Sequence, residues 1–417
     1  MTTIEDVNQF LARIPMFKDK GASASKFGLE GITSFCEYLG NPHKKFLSIH
    51  VAGTNGKGTV CHMLASVFQE AGYKTALYTS PHLLRYNERF KINGMEISNE
   101  ILIDFFDRYA PIITELKLTY FEISTGLAFW FFAESNVNIA IIETGLGGRL
   151  DATNIIHPEL SIITSIGFDH TDVLGSTIER IAKEKAGIIK TNTPVVIGSL
   201  PQDAQNVVEL KVLETNSELY FAQDVHPYWQ NGIIFIVDGG KIKQFSLPLI
   251  APIHAVNVAM VYQASKILKR RFPVSDELLS KGLEKIVLNT GLKARFERII
   301  LSRNWFYDGA HNEQALRELL HTIKQNGFKK PWVIVFSVMK DKLTKEFKDC
   351  VSEFDELYYF SINTSRAACF EEVSAKIPNT TLFDANTFSS KHTNSLVIFS
   401  GSFYFYESII ELRSLGF

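Results

Sequence analysis

The residues best suited to chemistry form a glycine-rich segment, His50-Val-Ala-Gly-Thr-Asn-Gly-Lys-Gly-Thr59, between an apolar run and a helical pattern. Glycines let successive N–H groups point at phosphate oxygens, and the helix N-terminus adds partial positive charge. Lys57 is placed to reach nucleotide phosphates and the Thr59 hydroxyl to touch magnesium, although Gly58 separates them, unlike in the common G-x-x-x-x-G-K-[ST] pattern. The segment predicts a phosphate-binding loop. The alternative is a turn that only packs a strand on a helix.

Three further polar residues, Ser80, Glu143 and His170, each follow a separate apolar run. Ligands of open parallel sheets bind at the carboxyl ends of strands, so these side chains are predicted to converge on the loop. Magnesium prefers oxygen ligands. Of the three residues, Glu143 is the strongest candidate for a magnesium ligand, because a carboxylate at the end of a buried strand needs a partner. A serine before proline is more often a turn former, and a lone histidine more often a hydrogen-bonded loop residue.

Short apolar runs separated by helical patterns predict the elements that position these residues. The predicted strands of the first part are Phe46–Val51, Thr75–Thr79, Ile139–Ile142, Leu160–Ile166 and Pro194–Ile197. They are apolar throughout, as expected of parallel strands covered on both faces. A helix between the first two is indicated by Val60, Met63, Leu64, Val67, Phe68 and Ala71, and Gly72 is placed to end it.

The pattern changes twice further along the chain. Short two-sided runs from about 215 to 250 predict a small antiparallel insertion, and turn formers between Leu288 and Arg295 predict a domain boundary. A second alternating series has helical stretches from about 312 and 343 and apolar runs at Trp305–Tyr307, Trp332–Phe336, Leu357–Phe360 and Leu396–Phe399. We therefore predict an α/β protein with a parallel-sheet ATPase domain over 1–290 and a smaller α/β domain over 291–417.

Composition narrows the classes of function. The 417 residues include 43 basic and 45 acidic side chains, a net charge of −2, so no large basic field is present to hold nucleic acid. The apolar windows are shorter than the roughly 18–20 residues of a membrane span, and the first residues do not resemble a secretory signal. We expect a soluble cytoplasmic protein. The scattered Cys36, Cys61, Cys350 and Cys369 are expected to be small core residues.

The stretch AGTNGKGT resembles the ATP-binding loop of the Mur ligase superfamily. Further segments in matching order make the chain similar to the folylpolyglutamate synthase/dihydrofolate synthase family: TSPHLLRYNER (79–89), YFEISTGLAFW (120–130), ETGLGGRLDATN (143–154), FDHTDVLG (168–175), AKEKAGI (182–188) and DGAHN (308–312). The resemblance implies a Mur ligase-like fold and an ATP-dependent ligase that adds L-glutamate to dihydropteroate, to folyl-glutamates or to both.

The resemblance also implies the residues of the nucleotide and metal sites. It assigns ATP binding to Thr54, Asn55, Gly56, Lys57, Gly58, Thr59, Asn257, Arg295 and Asp308. It implies two magnesium ions, with ligands from Ser80, Glu143, His170 and Thr59. Catalytic roles fall on Lys57, Lys185 and His311, and the lysine matching Lys185 is typically carbamylated in the family.

Several of these positions have simpler explanations. Lys185 lies in a helical stretch, Thr177–Ile188, where a solvated face is the alternative. Asn257 could cap a helix, and its Pro-Ile-His lead-in departs from the family's usual Gly-His-Gln-like one. Ala294 stands where the family often has glycine, which we expect to have no consequence. Asn312 could be the cap of a strand-to-helix turn.

The acceptor substrate is assigned, again by resemblance, to three short segments: Phe27, Gly28 and Leu29; Thr119, Tyr120, Phe121 and Glu122; and Leu150, Asp151 and Ala152. Phe121 could stack on a flat pterin or simply pack in the core, and Asp151 could accept pterin N–H groups. Arg85 and Arg89 are candidates for substrate carboxylates, with surface charge as an equal alternative.

The predicted reaction has two steps. The substrate carboxylate attacks the γ-phosphate of ATP, and the amine of L-glutamate then displaces phosphate from the acyl phosphate. Such chemistry needs positioning and charge neutralisation more than a protein nucleophile. The partners are expected to be small molecules, with the chain a monomer. The alternatives are a monofunctional folylpolyglutamate synthase, another Mur-type amino-acid ligase, or a nucleotide-binding regulator.

Overall fold

The computed structural model describes residues 1–14 and 28–414 of the chain. Its backbone divides into two compact units. Unit 1 comprises Met1–Pro248 with Ala255–Leu292, and unit 2 comprises Leu249–His254 with Lys293–Phe417. The chain thus enters unit 2 briefly before residue 255, returns to unit 1, and crosses again after Leu292.

Unit 1 is built on an eight-stranded sheet. Its strands are β1 (Leu47–Ala52), β2 (Thr75–Tyr78), β3 (Phe90–Ile92), β4 (Met95–Glu96), β5 (Ile139–Glu143), β6 (Leu160–Ile163), β7 (Val195–Ile197) and β8 (Leu219–Phe221). They lie in the order β4-β3-β2-β5-β1-β6-β7-β8, and all except β3 and β4 are parallel. The five predicted strands are confirmed, because apolar runs buried on both faces are typical of parallel strands.

The helices of unit 1 connect these strands. They are α1 (Ile4–Ala12), α2 (Glu30–Tyr38), α3 (Lys57–Glu70), α4 (Asn99–Glu115), α5 (Tyr120–Glu134), α6 (Thr171–Leu174), α7 (Ile178–Ala186), α8 (Gln202–Glu214), α9 (His254–Ile267), α10 (Asp276–Glu284) and α11 (Ile286–Thr290). The predicted end of α3 is confirmed: Gly72 follows its cap with a φ of 85°, a left-handed conformation that suits glycine.

Two apolar clusters of unit 1 hold its layers together. One joins α5 to alternate residues of β2 and β5, including Tyr78 and Ile142. The other joins α7 and α8 to β6 and β7. Because α5 is buried almost all round, its sequence is apolar without a polar face, as expected of a helix in a core.

The predicted antiparallel insertion is present but starts later than expected. Its sheet consists of β9 (Tyr228–Gln230), β10 (Ile233–Asp238) and β11 (Lys241–Ser246). The preceding run Leu219–Phe221 is β8, which pairs in parallel with β7 and therefore belongs to the main sheet. The strands β3 and β4, at the opposite edge, were not predicted because they contain only three and two residues.

Unit 2 contains a second sheet. Its strands are β12 (Glu297–Ile300), β13 (Trp305–Asp308), β14 (Trp332–Ser337), β15 (Glu356–Tyr359), β16 (Thr380–Leu382) and β17 (Leu396–Gly401). Their order is β12-β13-β17-β14-β15-β16, parallel except for β12. Its helices are α12 (Glu313–Gln325), α13 (Lys345–Val351), α14 (Phe370–Lys376), α15 (Ala385–Lys391) and α16 (Tyr404–Ser414). The predicted α/β class is confirmed for both units.

Two sequence expectations concern the whole chain. Cys36, Cys61 and Cys350 are buried, as predicted, but Cys369 is exposed, so the core assignment is wrong for that residue. It precedes α14 at a helix start, where the chain runs along the surface. Within the described residues, no helix combines the length and apolarity that crossing a membrane requires.

Candidate functional site

The predicted phosphate loop joins β1 to the first turn of α3. Gly53 has a φ of 154°, and a Cβ there would lie 2.0 Å from the Thr164 hydroxyl. Gly56 caps α3 with a φ of 87°. Both positions therefore require glycine, one for close approach and the other for its conformation. The backbone N–H groups at the start of α3 are those that such a loop offers to an anion.

Residues after β6 brace this loop, although the sequence pattern assigned them only to the predicted strand Leu160–Ile166 and to no site. The Thr54 N–H donates to the Ser165 carbonyl over 2.8 Å, and the Asn55 N–H donates to the Ser165 hydroxyl over 2.9 Å. The hydroxyl of Thr164 in turn donates to the Asn55 carbonyl at 2.7 Å. Small hydroxyl residues near the end of the predicted strand Leu160–Ile166 are the signal that could have pointed to them.

Two lysines converge on one carbonyl of the loop. Lys57 Nζ donates to Gly53 O at 3.0 Å and to Thr54 O at 3.2 Å. Lys185 Nζ donates to the same Gly53 O at 2.8 Å. Lys185 is only 3% exposed, so its interpretation as part of a solvated helix face is wrong. Burial, with the charge of Lys57 adding to it, lowers the pKa of Lys185 to about 7.

Of the predicted metal ligands, Glu143 lies at a strand end, whereas Ser80 follows β2 by two residues and His170 follows β6 by seven. Glu143 is the last residue of β5 and is buried, and its Oε2 accepts the N–H of Ser80 at 3.0 Å. His170 has a left-handed backbone before α6, and its Nε2 lies 3.7 Å from Asp169 Oδ1. Within residues 1–14 and 28–414 no three His, Cys, Asp or Glu side chains form a metal cluster. The structure thus joins Ser80 to Glu143 directly.

Asp151 holds the loop that follows β5. Its Oδ2 accepts the N–H groups of Gly145 and Leu146, both at 2.9 Å, and its Oδ1 accepts from the backbone and hydroxyl of Thr153. The Thr153 hydroxyl also lies 2.8 Å from Nε2 of the buried His50. Burial raises the pKa of Asp151, opposed by these hydrogen bonds. Sequence reasoning missed both Thr153 and His50.

The second predicted acceptor segment opens α5. Thr119 and Glu122 form a capping box, in which Glu122 Oε2 accepts the Thr119 N–H at 2.8 Å. Phe121 is partly exposed and stacks on Tyr78 with a centroid distance of 6.1 Å. Its ring also fills the space where a Cβ on Gly145 would lie, 2.5 Å from the ring edge. The structure therefore brings Phe121 and Asp151 together at Gly145.

The remaining acceptor candidates lie near the start of α2 and near the 3-10 helix Ala152–Ile155. Gly28 and Leu29 immediately precede α2, and Leu29 packs against the core cluster. Phe27 lies outside the described residues. Leu150 is half-buried and Ala152 is buried at the start of the 3-10 helix Ala152–Ile155.

Asn257 lies inside α9, three residues after its start at His254, so its interpretation as a helix cap is wrong. It is buried, and a Cβ on Gly56 would lie 3.4 Å from its Oδ1. The structure therefore places an amide side chain beside the phosphate loop within unit 1.

In unit 2, Arg295 stands between two residues with unusual backbone angles. Ala294 has a φ of 57° and Phe296 a φ of 47°. Asp308 Oδ2 accepts the Phe296 N–H at 2.8 Å, and its Oδ1 accepts the Ala310 N–H at 2.9 Å. Left-handed conformations cost a residue with a Cβ about 1–2 kcal/mol, so the expectation that Ala294 has no consequence is wrong.

Burial raises the pKa of Asp308, and the charge of Arg295 opposes this rise. His311 Nδ1 lies 2.8 Å from Gly309 O, which orients its ring. Asn312 caps α12 by accepting the Ala315 N–H at 2.9 Å, so its interpretation as a cap is confirmed. Within unit 2 the structure thus brings Arg295, Asp308 and His311 to the end of β13.

Comparison with known proteins connects these features to a family. Residues 51–264 match the Mur ligase middle domain, and residues 294–398 match the Mur ligase glutamate ligase domain. The dihydrofolate synthase/folylpolyglutamate synthase of Bacillus subtilis is 33% identical over 412 residues, covering 92% of this chain and 94% of that protein. The chain belongs to the dihydrofolate synthase/folylpolyglutamate synthase family.

Solved structures of the family agree with this assignment. Escherichia coli FolC in complex with DHPP and ADP matches with a TM-score of 0.87 at 27% identity, covering 100% of this chain and 98% of FolC. An FPGS–AMPPCP–folate complex matches with a TM-score of 0.82 at 28% identity, covering 100% of both chains. As a member of this family the chain is an ATP-dependent ligase of folate metabolism, and ATP is one of its substrates.

Proposed function

We propose that this ligase joins L-glutamate to dihydropteroate and to (tetrahydro)folyl-glutamates through an acyl phosphate. One observation carries the proposal: a single short segment holds residues of both the phosphate end and the acceptor end. Glu143 closes β5 beside Ser80, and two residues later Gly145 contacts Phe121 and donates its N–H to Asp151. A carboxylic acid substrate bound against Phe121 would thus lie close to the strand ends proposed for phosphoryl transfer.

The first step forms a bond between an oxygen of the acceptor carboxylate and the γ-phosphorus of ATP, and ADP leaves. In the second step the amine of L-glutamate attacks the acyl carbon, phosphate leaves and the amine loses a proton. Lys57 and the N–H groups at the start of α3 neutralise the phosphates, with Thr54, Asn55, Gly58 and Thr59 in the same loop and Asn257 beside it.

Magnesium fits the side chains present. Glu143 offers a carboxylate that is already fixed by Ser80, while Ser80 and Thr59 offer hydroxyl oxygens, which are the hard donors that magnesium prefers. His170 would add a nitrogen ligand. Bound there, magnesium would supply charge neutralisation for the phosphates, and the same residues together with a carbamylated Lys185 would accommodate two ions.

Carbamylation of Lys185 is the second expectation that the structure supports. A lysine attacks CO₂ only as the neutral amine, forming an N–C bond and releasing one proton. A pKa lowered to about 7 by burial supplies that neutral form near physiological pH. The product is an anion in place of a cation, which would add a carboxylate-like ligand next to Gly53.

For unit 2 we propose the glutamate-ligating role. Arg295 has the planar fork that suits phosphate, Asp308 would bind the nucleotide, and His311 would approach the acyl phosphate or the incoming glutamate. The ATP-binding domain would then span 1–290 and the ligase domain 291–417. We further propose that the enzyme works as a monomer in the cytoplasm, which sedimentation and cell fractionation test.

The proposed reaction is tested with dihydropteroate and tetrahydrofolate labelled with ¹⁸O in the carboxylate. One labelled oxygen should appear in inorganic phosphate for each amide formed, because phosphate carries away the acceptor oxygen. Unlabelled phosphate would exclude the acyl phosphate. Parallel assays with a UDP-muramyl acid separate the alternatives: use of tetrahydrofolate alone means a monofunctional folylpolyglutamate synthase, and use of the muramyl acid alone means a different Mur-type ligase.

A further inference from the structure

One buried cation of unit 1 has no role in the chemistry above. Arg89 ends the 3-10 helix Tyr86–Arg89 and is only 7% exposed. A charged side chain removed from water is costly unless an opposite charge or several acceptors compensate it. Such a residue therefore points to a negatively charged partner.

The surroundings of Arg89 supply little compensation. Its Nε donates to His82 Nδ1 at 2.8 Å, and its guanidinium lies 5.5 Å from the centroid of the Tyr120 ring. Across residues 1–14 and 28–414, no carboxylate lies within ion-pair distance of it. Arg85 differs, because its side chain is 68% exposed and pairs with Glu96 at 2.9 Å. The interpretation as surface charge therefore holds for Arg85 and fails for Arg89.

Arg89 lies beside the proposed acceptor site. The ring over which it stands belongs to Tyr120, which lies directly between Thr119 and Phe121 in the chain. The backbone carbonyl of Arg89 accepts the N–H of Thr79, the residue before Ser80. Burial raises the pKa of the Tyr78 phenol, the charge of Arg89 opposes this, and the charge of Asp151 adds to it. The charges of Arg89 and Asp151 thus both influence the pKa of the same buried phenol, that of Tyr78.

We propose that Arg89 binds a carboxylate of the acceptor that does not react, the α-carboxylate of the terminal glutamate in a folyl-glutamate. This rests on the proposed function. The reacting carboxylate has to meet the γ-phosphate, where Lys57 supplies charge. A guanidinium fork with two terminal nitrogens to offer matches a second carboxylate with two hydrogen bonds. Dihydropteroate has no second carboxylate, so Arg89 determines preference between the two acceptors.

Steady-state kinetics with three acceptors test this assignment. The acceptors are dihydropteroate, tetrahydrofolyl-monoglutamate and the same folate with its α-carboxylate converted to a carboxamide. For Arg89→Gln we expect the KM for the folyl-glutamate to rise roughly tenfold or more, because the variant loses a pair of charge-assisted hydrogen bonds to the carboxylate. The KM for dihydropteroate should stay within about twofold. Arg89→Lys should recover part of the loss, and the surface variant Arg85→Gln should match wild type.

The carboxamide completes a double-perturbation cycle in which the substrate carboxylate and the Arg89 side chain are each removed, alone and together. A purely structural role of Arg89 would not reproduce the expected result of this cycle. Wild-type enzyme should lose as much with the carboxamide as Arg89→Gln loses with the carboxylate, and the variant should lose nothing further with it. Equal losses for dihydropteroate and the folyl-glutamate would overturn the assignment. So would wild-type indifference to the carboxamide, an arm that decides the matter even if the variant does not fold. A wild-type enzyme inactive with every acceptor would instead refute the proposed function.

Discussion

The Thr153 hydroxyl connects two buried groups of unit 1, and removing it should be costly. We predict that Thr153→Val lowers the free energy of unfolding of unit 1 by about 1.5–5 kcal/mol. The same change should raise the KM for dihydropteroate, because Thr153 supports Asp151 and Asp151 holds the N–H groups of Gly145 and Leu146.

The magnitude follows from the hydrogen bonds that are lost. The Thr153 hydroxyl donates to Asp151, so at the 2.8 Å contact it must accept from His50 Nε2. Losing the bond to a charged acceptor costs about 1.5–3 kcal/mol, and leaving the imidazole N–H unsatisfied about 1–3 kcal/mol. His50 Nδ1 has no partner among the described residues, so its ring would keep no hydrogen bond. The added methyl group offsets about 1 kcal/mol.

Native-state hydrogen exchange on peptides covering β1 measures the stability of unit 1 separately from that of unit 2. Thr153→Ser keeps the hydroxyl and is the matched control, with an expected loss of about 1 kcal/mol or less. The double variant His50→Leu/Thr153→Val should recover part of the loss, because replacing both partners by apolar groups avoids the unsatisfied N–H. A Thr153→Val protein within about 0.5 kcal/mol of wild type would refute the reasoning.

Three further predictions concern single residues. The unmodified Lys185 amine gains its reactive neutral form as pH rises through about 7, so enzyme pre-incubated without CO₂ should recover activity faster at pH 8 than at pH 6 when both samples receive the same concentration of dissolved CO₂, and Lys185→Ala should show no recovery. Ala294→Gly should stabilise unit 2 by about 0.5–1 kcal/mol, measured by urea denaturation, because glycine accepts its φ of 57° without strain. Glu143→Gln keeps an acceptor for the Ser80 N–H but loses charge, so half-saturation by magnesium should rise roughly tenfold or more; an unchanged magnesium titration would contradict this role.

The parts that sequence could predict are those fixed by local physics. Apolar runs without alternation indicated the parallel strands, and Gly53, Gly56 and Lys57 indicated the phosphate loop, because backbone curvature and helix starts depend on nearby residues. Placing Glu143 and Ser80 at strand ends then followed from the geometry of open sheets. The assignment to a family rested on ordered motifs, each too short to be specific alone.

What sequence could not predict depends on distant contacts. Lys185 has charged neighbours in a helical pattern typical of a solvated face, yet the sheet buries it against Gly53, 132 positions earlier in the chain. The roles of Thr164 and Ser165 depend on contacts with Asn55 between the segments that follow β6 and β1. Likewise, only the tertiary structure separates the buried Arg89 from the exposed Arg85, since the sequence gives both as arginines of one short segment.

The loop after β5 lies between the proposed acceptor site and the strand end proposed for phosphoryl transfer. Asp151 binds the loop's start through Gly145, and the Asn154 amide donates to Arg149 O at 2.9 Å and to Gly187 O at 3.0 Å, just beyond α7. Because α7 carries Lys185, the Asn154 amide connects the end of this loop to the residue that follows the helix of that lysine. The Asp151 carboxylate and the Asn154 amide are therefore engaged in hydrogen bonds with backbone groups. In the proposed acceptor site, recognition would then fall mainly on the ring of Phe121 and the guanidinium of Arg89.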